Sequence, residues 1–297
     1  MASGQRIQAR GARQRVAAQR AAARRAQRTR RLLLAGGGIL IVMILAIVLV
    51  AVRPGQPAAP AAPAAPGTAA QAAEVAAAVA GVPATTFDSV GAGTATGLTA
   101  TSGQPLLTSG GKPEVVYMGG EYCPFCAAER WALTTALSRF GTFTGLGLIH
   151  SSPTDVYAST PTLSFHGSRF TSKYVSFAPV EWFGEASDAS TPFGHAYLEQ
   201  PTAQQAALFS EYAGGSIPFV DIGNQYLIPQ AQYLPSALRG MSWSQVAAAM
   251  RDPGSPVAKD IDGAANIITA AVCTLTDNQP ATACTPAVQS LERTLAR

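Results

Sequence analysis

An α/β fold, a central mixed sheet flanked by helices and preceded by one membrane-spanning helix, is what this sequence predicts. Three observations carry that expectation. Leu32 to Val52 is a 21-residue run without a charge. The short apolar run Glu114-Val-Val-Tyr-Met118 is followed by Gly119-Gly120, a Cys-x-x-Cys motif and a helical pattern. Further on, two short apolar runs joined by Gly223-Asn224 read as a β-hairpin, with helix signals on either side.

The first 31 residues hold ten arginines and no acidic residue. The remaining eleven cations face 17 acidic residues, so the rest of the chain carries about −6 and the overall +4 averages two unlike parts. At a rise of about 1.5 Å per residue the uncharged run spans roughly 30 Å, the hydrocarbon thickness of a bilayer. It exceeds the apolar core of about 7–15 residues in a cleaved signal, so a retained anchor is expected. The arginines then stay cytoplasmic by the positive-inside rule, and residues 53–297 face outward. Topology control and lipid contact account for the basic arm without nucleic acid.

The expected layout is a cytoplasmic arm (1–31), a span (32–52), an Ala/Pro-rich spacer (53–85) and an extracytoplasmic domain with a C-terminal helical extension (86–297). Within the spacer, Ala69 to Ala80 reads as a short helix ended by Gly81 and Pro83. The stretch from Phe87 to Gly111, rich in Gly, Thr and Ser, has no clear pattern. After the cysteine motif, Leu133, Ala136, Leu137 and Phe140 mark the apolar face of a helix that Gly141 stops. Gly145 to His150 reads as the next strand, giving a β-α-β unit. Thr162 to His166 and Lys173 to Phe177 read as a hairpin inserted after it. Thr202-Ala-Gln-Gln205 and Ser242-Trp-Ser-Gln245 are capping boxes for two helices, ending near Tyr212 and Met250. Ser255-Pro256 opens a last helix, running to about Leu275.

All four cysteines, Cys123, Cys126, Cys273 and Cys284, lie beyond the span, where disulfides persist. A strand, a tight turn and Pro124 at the first helical position put Cys123 at a helix N-terminus. Unpaired N–H groups and the helix dipole there favour a thiolate, lowering the pKa from about 8.5. Disulfide exchange needs an accessible attacking thiolate and a second thiol to resolve the mixed disulfide. Cys123 is therefore expected to be exposed and to attack, and Cys126, one turn further in on the core face, to resolve. Pro124 and Phe125 carry no charge, so they tune the site through backbone geometry. Cys273 and Cys284 read as a structural bridge whose loop of roughly 12 residues would add about 3 kcal/mol in the chain-entropy picture; the sharper alternative is a second redox pair acting as a relay.

The strand order, the motif and Ile217-Pro218 at the start of a later strand together resemble the thioredoxin superfamily. The resemblance covers about Glu114 to Met250, with an insertion between His150 and Thr202. It implies that Pro218 follows a cis peptide bond and lies against the redox pair, and that Ile217 tunes reactivity. Tyr122-Cys-Pro-Phe-Cys126 is nearer to glutaredoxin-like and disulfide-oxidase-like motifs than to the Trp-Cys-Gly-Pro-Cys of thioredoxins. At finer grain three runs are similar to a membrane-protein family of unknown function from actinobacteria and some archaea, domain of unknown function 929. They are Glu121-Tyr-Cys-Pro-Phe-Cys-Ala-Ala-Glu-Arg-Trp-Ala-Leu133, Ile217-Pro-Phe-Val-Asp-Ile-Gly-Asn224 and Ala265-Asn-Ile-Ile-Thr-Ala-Ala-Val-Cys273.

The expected function is a membrane-anchored thiol–disulfide oxidoreductase acting on envelope or secreted proteins. Cys123, Cys126 and Pro218 are the expected catalytic residues, and Tyr122, Pro124, Phe125 and Ile217 border the substrate. No cofactor or metal is expected. The expected partners are the bilayer, exported cysteine-containing proteins and a membrane or quinone-linked redox protein. One alternative is a non-catalytic binding module braced by its cysteines. Another is copper or zinc delivery, for which His150 would join the two thiols. The remaining charges near the motif, Glu121, Glu129 and Arg130, read as solvated helix-end groups. Trp131, Phe219, Trp182 and Trp243 read as core, and His166 and His195 as ordinary surface or core residues.

Overall fold

The computed structural model describes residues 64–295. The arm (1–31), the expected span (32–52) and the first third of the spacer (53–63) lie outside these residues. Among the described residues no helix is long and apolar enough to cross a membrane.

In chain order the elements begin with helices α1 (Ala69–Ala80) and α2 (Ala84–Val90), then strands β1 (Thr99–Ala100), β2 (Thr108–Ser109) and β3 (Lys112–Gly120). Helix α3 (Pro124–Ser138) leads into β4 (Gly141–Thr144), β5 (Gly147–His150), β6 (Pro161–Ser164) and β7 (Arg169–Ser172). The long β8 (Ser176–Ser187) and short β9 (His195–Tyr197) precede α4 (Ala203–Tyr212) and the hairpin of β10 (Phe219–Ile222) and β11 (Tyr226–Ile228). Helices α5 (Trp243–Ala249), α6 (Pro256–Leu275) and α7 (Pro286–Leu295) close the fold.

Strand β3 is central because both of its faces are apolar. Val115 and Tyr117 enter the main core, while Val116 and Met118 enter a second core on the opposite face. Beside it β8 runs parallel and β10 antiparallel, and the mixed sheet has the order β1-β11-β10-β3-β8-β9, with β2 paired to β3. On the main-core face lie α1, α3, α6 and α7; Phe209 of α4 closes the other face against Met118 and Phe219. Gly223 and Asn224 both have positive φ, +66° and +57°, and the Gln225 N–H donates to Ile222 O (3.1 Å), so a primed turn sits within a three-residue connection between the partners Ile222 and Tyr226.

Thirteen of the fifteen residues of α3 are buried, because the sheet covers one side and α6 lies along another. Ala264, Ala265 and Ala271 keep the α6 surface small enough for close approach, and Ala72, Val75 and Val79 of α1 are buried as well. The folded unit therefore begins before residue 86, where composition placed the domain boundary. At the far end of α6 the structure bonds Cys273 to Cys284 across 11 positions, tying the start of α7 to the core.

Two strand assignments are corrected. The parallel partner of β3 is β8, not the segment ending at His150. That segment, as β5, pairs antiparallel with β6, and β4 pairs with β7, so the expected hairpin between 162 and 177 does not form. The cause is non-local: β5 buries one residue of four, while β8 places Val180, Glu181 and Phe183 in the interior. The unexpected α7 buries Val288 and rests Leu291 and Leu295 on the core, a stripe only ten residues long. The unpatterned stretch after residue 86 contributes α2, β1 and β2.

Replacing Cys273 and Cys284 together by serine is expected to lower unfolding stability by about 3 kcal/mol, read as a lower urea midpoint than that of the oxidised protein.

Candidate redox site

The site is built where β3 ends. Gly119 is required there, since a Cβ would lie 2.0 Å from the Tyr117 hydroxyl, and one on Gly120 would lie 2.9 Å from the Tyr122 ring. The absence of both side chains lets the chain turn tightly into the motif. Cys123 N–H donates to Gly120 O (3.1 Å), and Pro124 occupies the first helical turn, where no N–H is needed. Cys123 is the N-cap of α3: its Sγ accepts from the Cys126 N–H at 3.3 Å.

The two thiols differ sharply. Hydrogen bonding from the Cys126 side chain, then from the Cys126 and Phe125 N–H groups, together with the Arg130 charge, lowers the Cys123 pKa despite burial. Burial pushes Cys126 well up, and the neighbouring Cys123 adds to it. The expectation that Cys123 is exposed is corrected: it is only 6% exposed, and Cys126 is fully buried. Cys123, Cys126, Tyr122 and Phe183 form one apolar cluster, against which Phe125, Trp182, Phe193 and Ile217 pack. Trp182 packs on the second core as well, so it is both core and wall of the site.

Beneath the thiols lies an ion pair closed to water. Arg130 Nε donates to Glu181 Oε1 (2.7 Å), and its Nη2 donates to Glu181 Oε2 (2.8 Å) and Gly120 O (2.7 Å). Both side chains have zero exposure. Glu181 also accepts from the Phe165 N–H (3.2 Å). The view of Glu129 and Arg130 as solvated charges is therefore corrected. Helix α3 is enclosed on all sides, so its charged residues are buried. Glu129 accepts from the Gln232 N–H (3.1 Å), and burial raises its pKa to about 8. Glu121 accepts from Ser164 Oγ (2.5 Å).

Of the residues expected at the site, Tyr122, Cys123, Cys126, Phe125 and Ile217 come together. Pro124 is buried at the head of α3, and Pro218, after a cis bond to Ile217, is buried at the entry to β10. Phe125 meets Tyr157 edge-on (5.5 Å) and borders a groove of about 610 Å³ with Gln230 to Leu234. Cys273 and Cys284 belong to the main core instead, apart from the thiol cluster. Trp131 and Phe219 are core, and Trp243 is half-buried against His150, 4.6 Å between rings. Among the described residues no three His, Cys, Asp or Glu side chains gather as a metal-binding group. His166 pairs with Glu199 at the surface (2.6 Å).

Sequence reading missed Glu181, Phe183, Phe193 and His195. The His195 ring stacks on Tyr122, 3.7 Å between centroids and 8° from parallel. These residues reach the motif through the pairing of β8 with β3 and of β9 with β8, which no local pattern encodes. The only local sign was a glutamate inside an otherwise apolar run.

A family model described as a domain of unknown function (DUF929) matches residues 100–274. The chain belongs to this family. The DUF929 region contains the sheet apart from Thr99 of β1, the Cys-x-x-Cys motif and nearly all of α6, and it ends one residue after Cys273. No curated protein and no solved structure matches the chain.

Two outcomes test the electrostatics. Arg130→Met should lower stability by about 3–5 kcal/mol, because it leaves Glu181 buried without a counter-ion; adding Glu181→Leu should restore most of the loss in urea unfolding. Glu129 has a folded pKa (about 8) above its ordinary carboxylate value, so the native state holds the proton longer than the unfolded state does. Its contribution is fully present below about pH 4.5 and is lost as pH rises to about 8. Glu129→Gln should therefore flatten the fall in stability across that window.

Proposed function

We propose that the protein is a membrane-anchored, extracytoplasmic thiol–disulfide oxidoreductase on a thioredoxin-like fold, with Cys123 attacking and Cys126 resolving. The observation that carries this reading is Cys123 Sγ at the N-cap of α3, its pKa lowered while that of Cys126 is raised. Two thiols pushed apart in this way divide attack from resolution. The succession β3, α3, parallel β8, α4 and the antiparallel hairpin β10–β11 supports the fold assignment. So does Ile217, packed on the redox pair just ahead of β10. The uncharged run from Leu32 to Val52, behind ten arginines, supports the anchor and the outward orientation.

In the reducing direction the Cys123 thiolate attacks one sulfur of a substrate disulfide. A bond forms between those two sulfurs, the substrate S–S bond breaks, and its second sulfur leaves as a thiolate that takes a proton from water. Cys126 gives up its proton to solvent and attacks Cys123 Sγ; the internal disulfide forms and the first substrate sulfur leaves as a thiolate. Two electrons pass from the dithiol to the substrate. Oxidation of a substrate dithiol is the same path reversed, and the reduction potential of the pair sets the direction. The substrates on this reading are exported cysteine-containing proteins, and a membrane or quinone-linked protein recycles the pair.

Ultraviolet titration of the thiolate should place Cys123 below the free-cysteine value of about 8.5. Cys126→Ala should accumulate Cys123-linked mixed disulfides on non-reducing gels. A variant that traps nothing, together with a Cys123→Ala protein that keeps its partners, would instead establish a non-catalytic module.

A further inference from the structure

Resting on that reading, the geometry points to a gate: residues 188–198 form a movable cover over Cys123, latched by the stack of His195 on Tyr122. A thiolate attacks a disulfide along the line of its S–S bond, so three sulfurs must align at the attacking atom. Cys123, at 6% exposure, offers no such approach in the structure described. Part of what covers it comes from this one segment. Phe193 packs on the cluster that holds both thiols and meets Phe183 at 4.9 Å between ring centroids. His195 lies flat on Tyr122, the residue next to Cys123, and its Nδ1 is 3.2 Å from Glu185 O.

The same segment is weakly held. No residue from 184 to 200 is buried. Strand β9 sits at the sheet edge; its ladder with β8 has two partner positions, Phe183↔Tyr197 and Ser187↔His195, with the register broken between them, and a further bond, Leu198 N–H on Trp182 O (2.9 Å), holds its far end. The turn is closed within itself, by the Asp188 N–H on Gly194 O (2.9 Å) and the Thr191 hydroxyl on His195 O (2.7 Å). Few buried contacts and an edge position are the properties of segments that open below the global unfolding free energy. The wall that stays is firmly held: Phe183 has no exposure, and Glu181 two residues before it is fixed by Arg130. Opening therefore bares Tyr122, Phe183 and the Cys123 sulfur without disturbing the ion pair below.

The test is the alkylation rate of Cys123 in the full chain carrying Cys126→Ser, under reducing conditions that leave the Cys273–Cys284 bond intact. Iodoacetamide serves as the small probe and a polymer-linked maleimide as the large one. His195→Ala and Phe193→Ala should each speed the large probe by about tenfold, the scale of a loosened local opening step, and the small probe less. His195→Phe, which keeps a ring over Tyr122, should stay slow. Unchanged rates in both alanine variants, with native circular dichroism, would overturn the gate. So would a His195→Phe protein as fast as His195→Ala. If the rates rise as expected but wild type exchanges no disulfides, the gate stands and the oxidoreductase reading fails.

Discussion

The guanidinium of Arg130 is the group on which the rest of this architecture depends. It sits on a helix enclosed on every side, where an unpaired charge would be prohibitive. Its three bonds reach the last residue of β3 and a carboxylate on β8. These bonds fix how far β8 slides along β3, because any other register would move Glu181 away from its partner. The Phe165 N–H on the same carboxylate draws the segment between α3 and β8 into the arrangement. One buried charge thus ties together the strand before the motif, the helix after it and the strand beside it.

The thiols inherit their chemistry from that arrangement. With β3 and β8 held in place, the Gly119-Gly120 turn has only one route into α3, and the route ends with Cys123 capping the helix. The positive charge below and the N–H groups ahead act on Cys123 in the same sense, whereas Cys126 feels burial first. A difference of one helical turn separates a sulfur stabilised as an anion from one held as a thiol.

Local signals in the chain were read reliably. The capping boxes at Thr202 and Ser242, proline at positions 124 and 256, and the turn at Gly223-Asn224 all rest on side-chain and backbone preferences acting over three or four residues. What escaped was everything set by distant pairing. Gly145 to His150 and residues 176–187 are both apolar runs, and nothing local says which lies beside β3. The same limit hid Phe193 and His195, some 70 positions from the cysteines they cover. It also misjudged Arg130, because a charged residue near a helix start is normally solvated, and only the enclosure of α3 reverses that. The placement of Cys123 at a helix start was legible from spacing and context; its burial was not.

The bond between Cys273 and Cys284 has a practical side. The DUF929 match stops at residue 274, so a recombinant fragment trimmed to it would keep Cys273 and discard Cys284 along with α7. Such a fragment would carry an orphan thiol and a bared strip of α6 in a molecule that already holds two free thiols. Scrambling with Cys123 or covalent dimerisation would follow, and neither would be a property of the intact chain. Expression work on this chain should extend past residue 284, through α7.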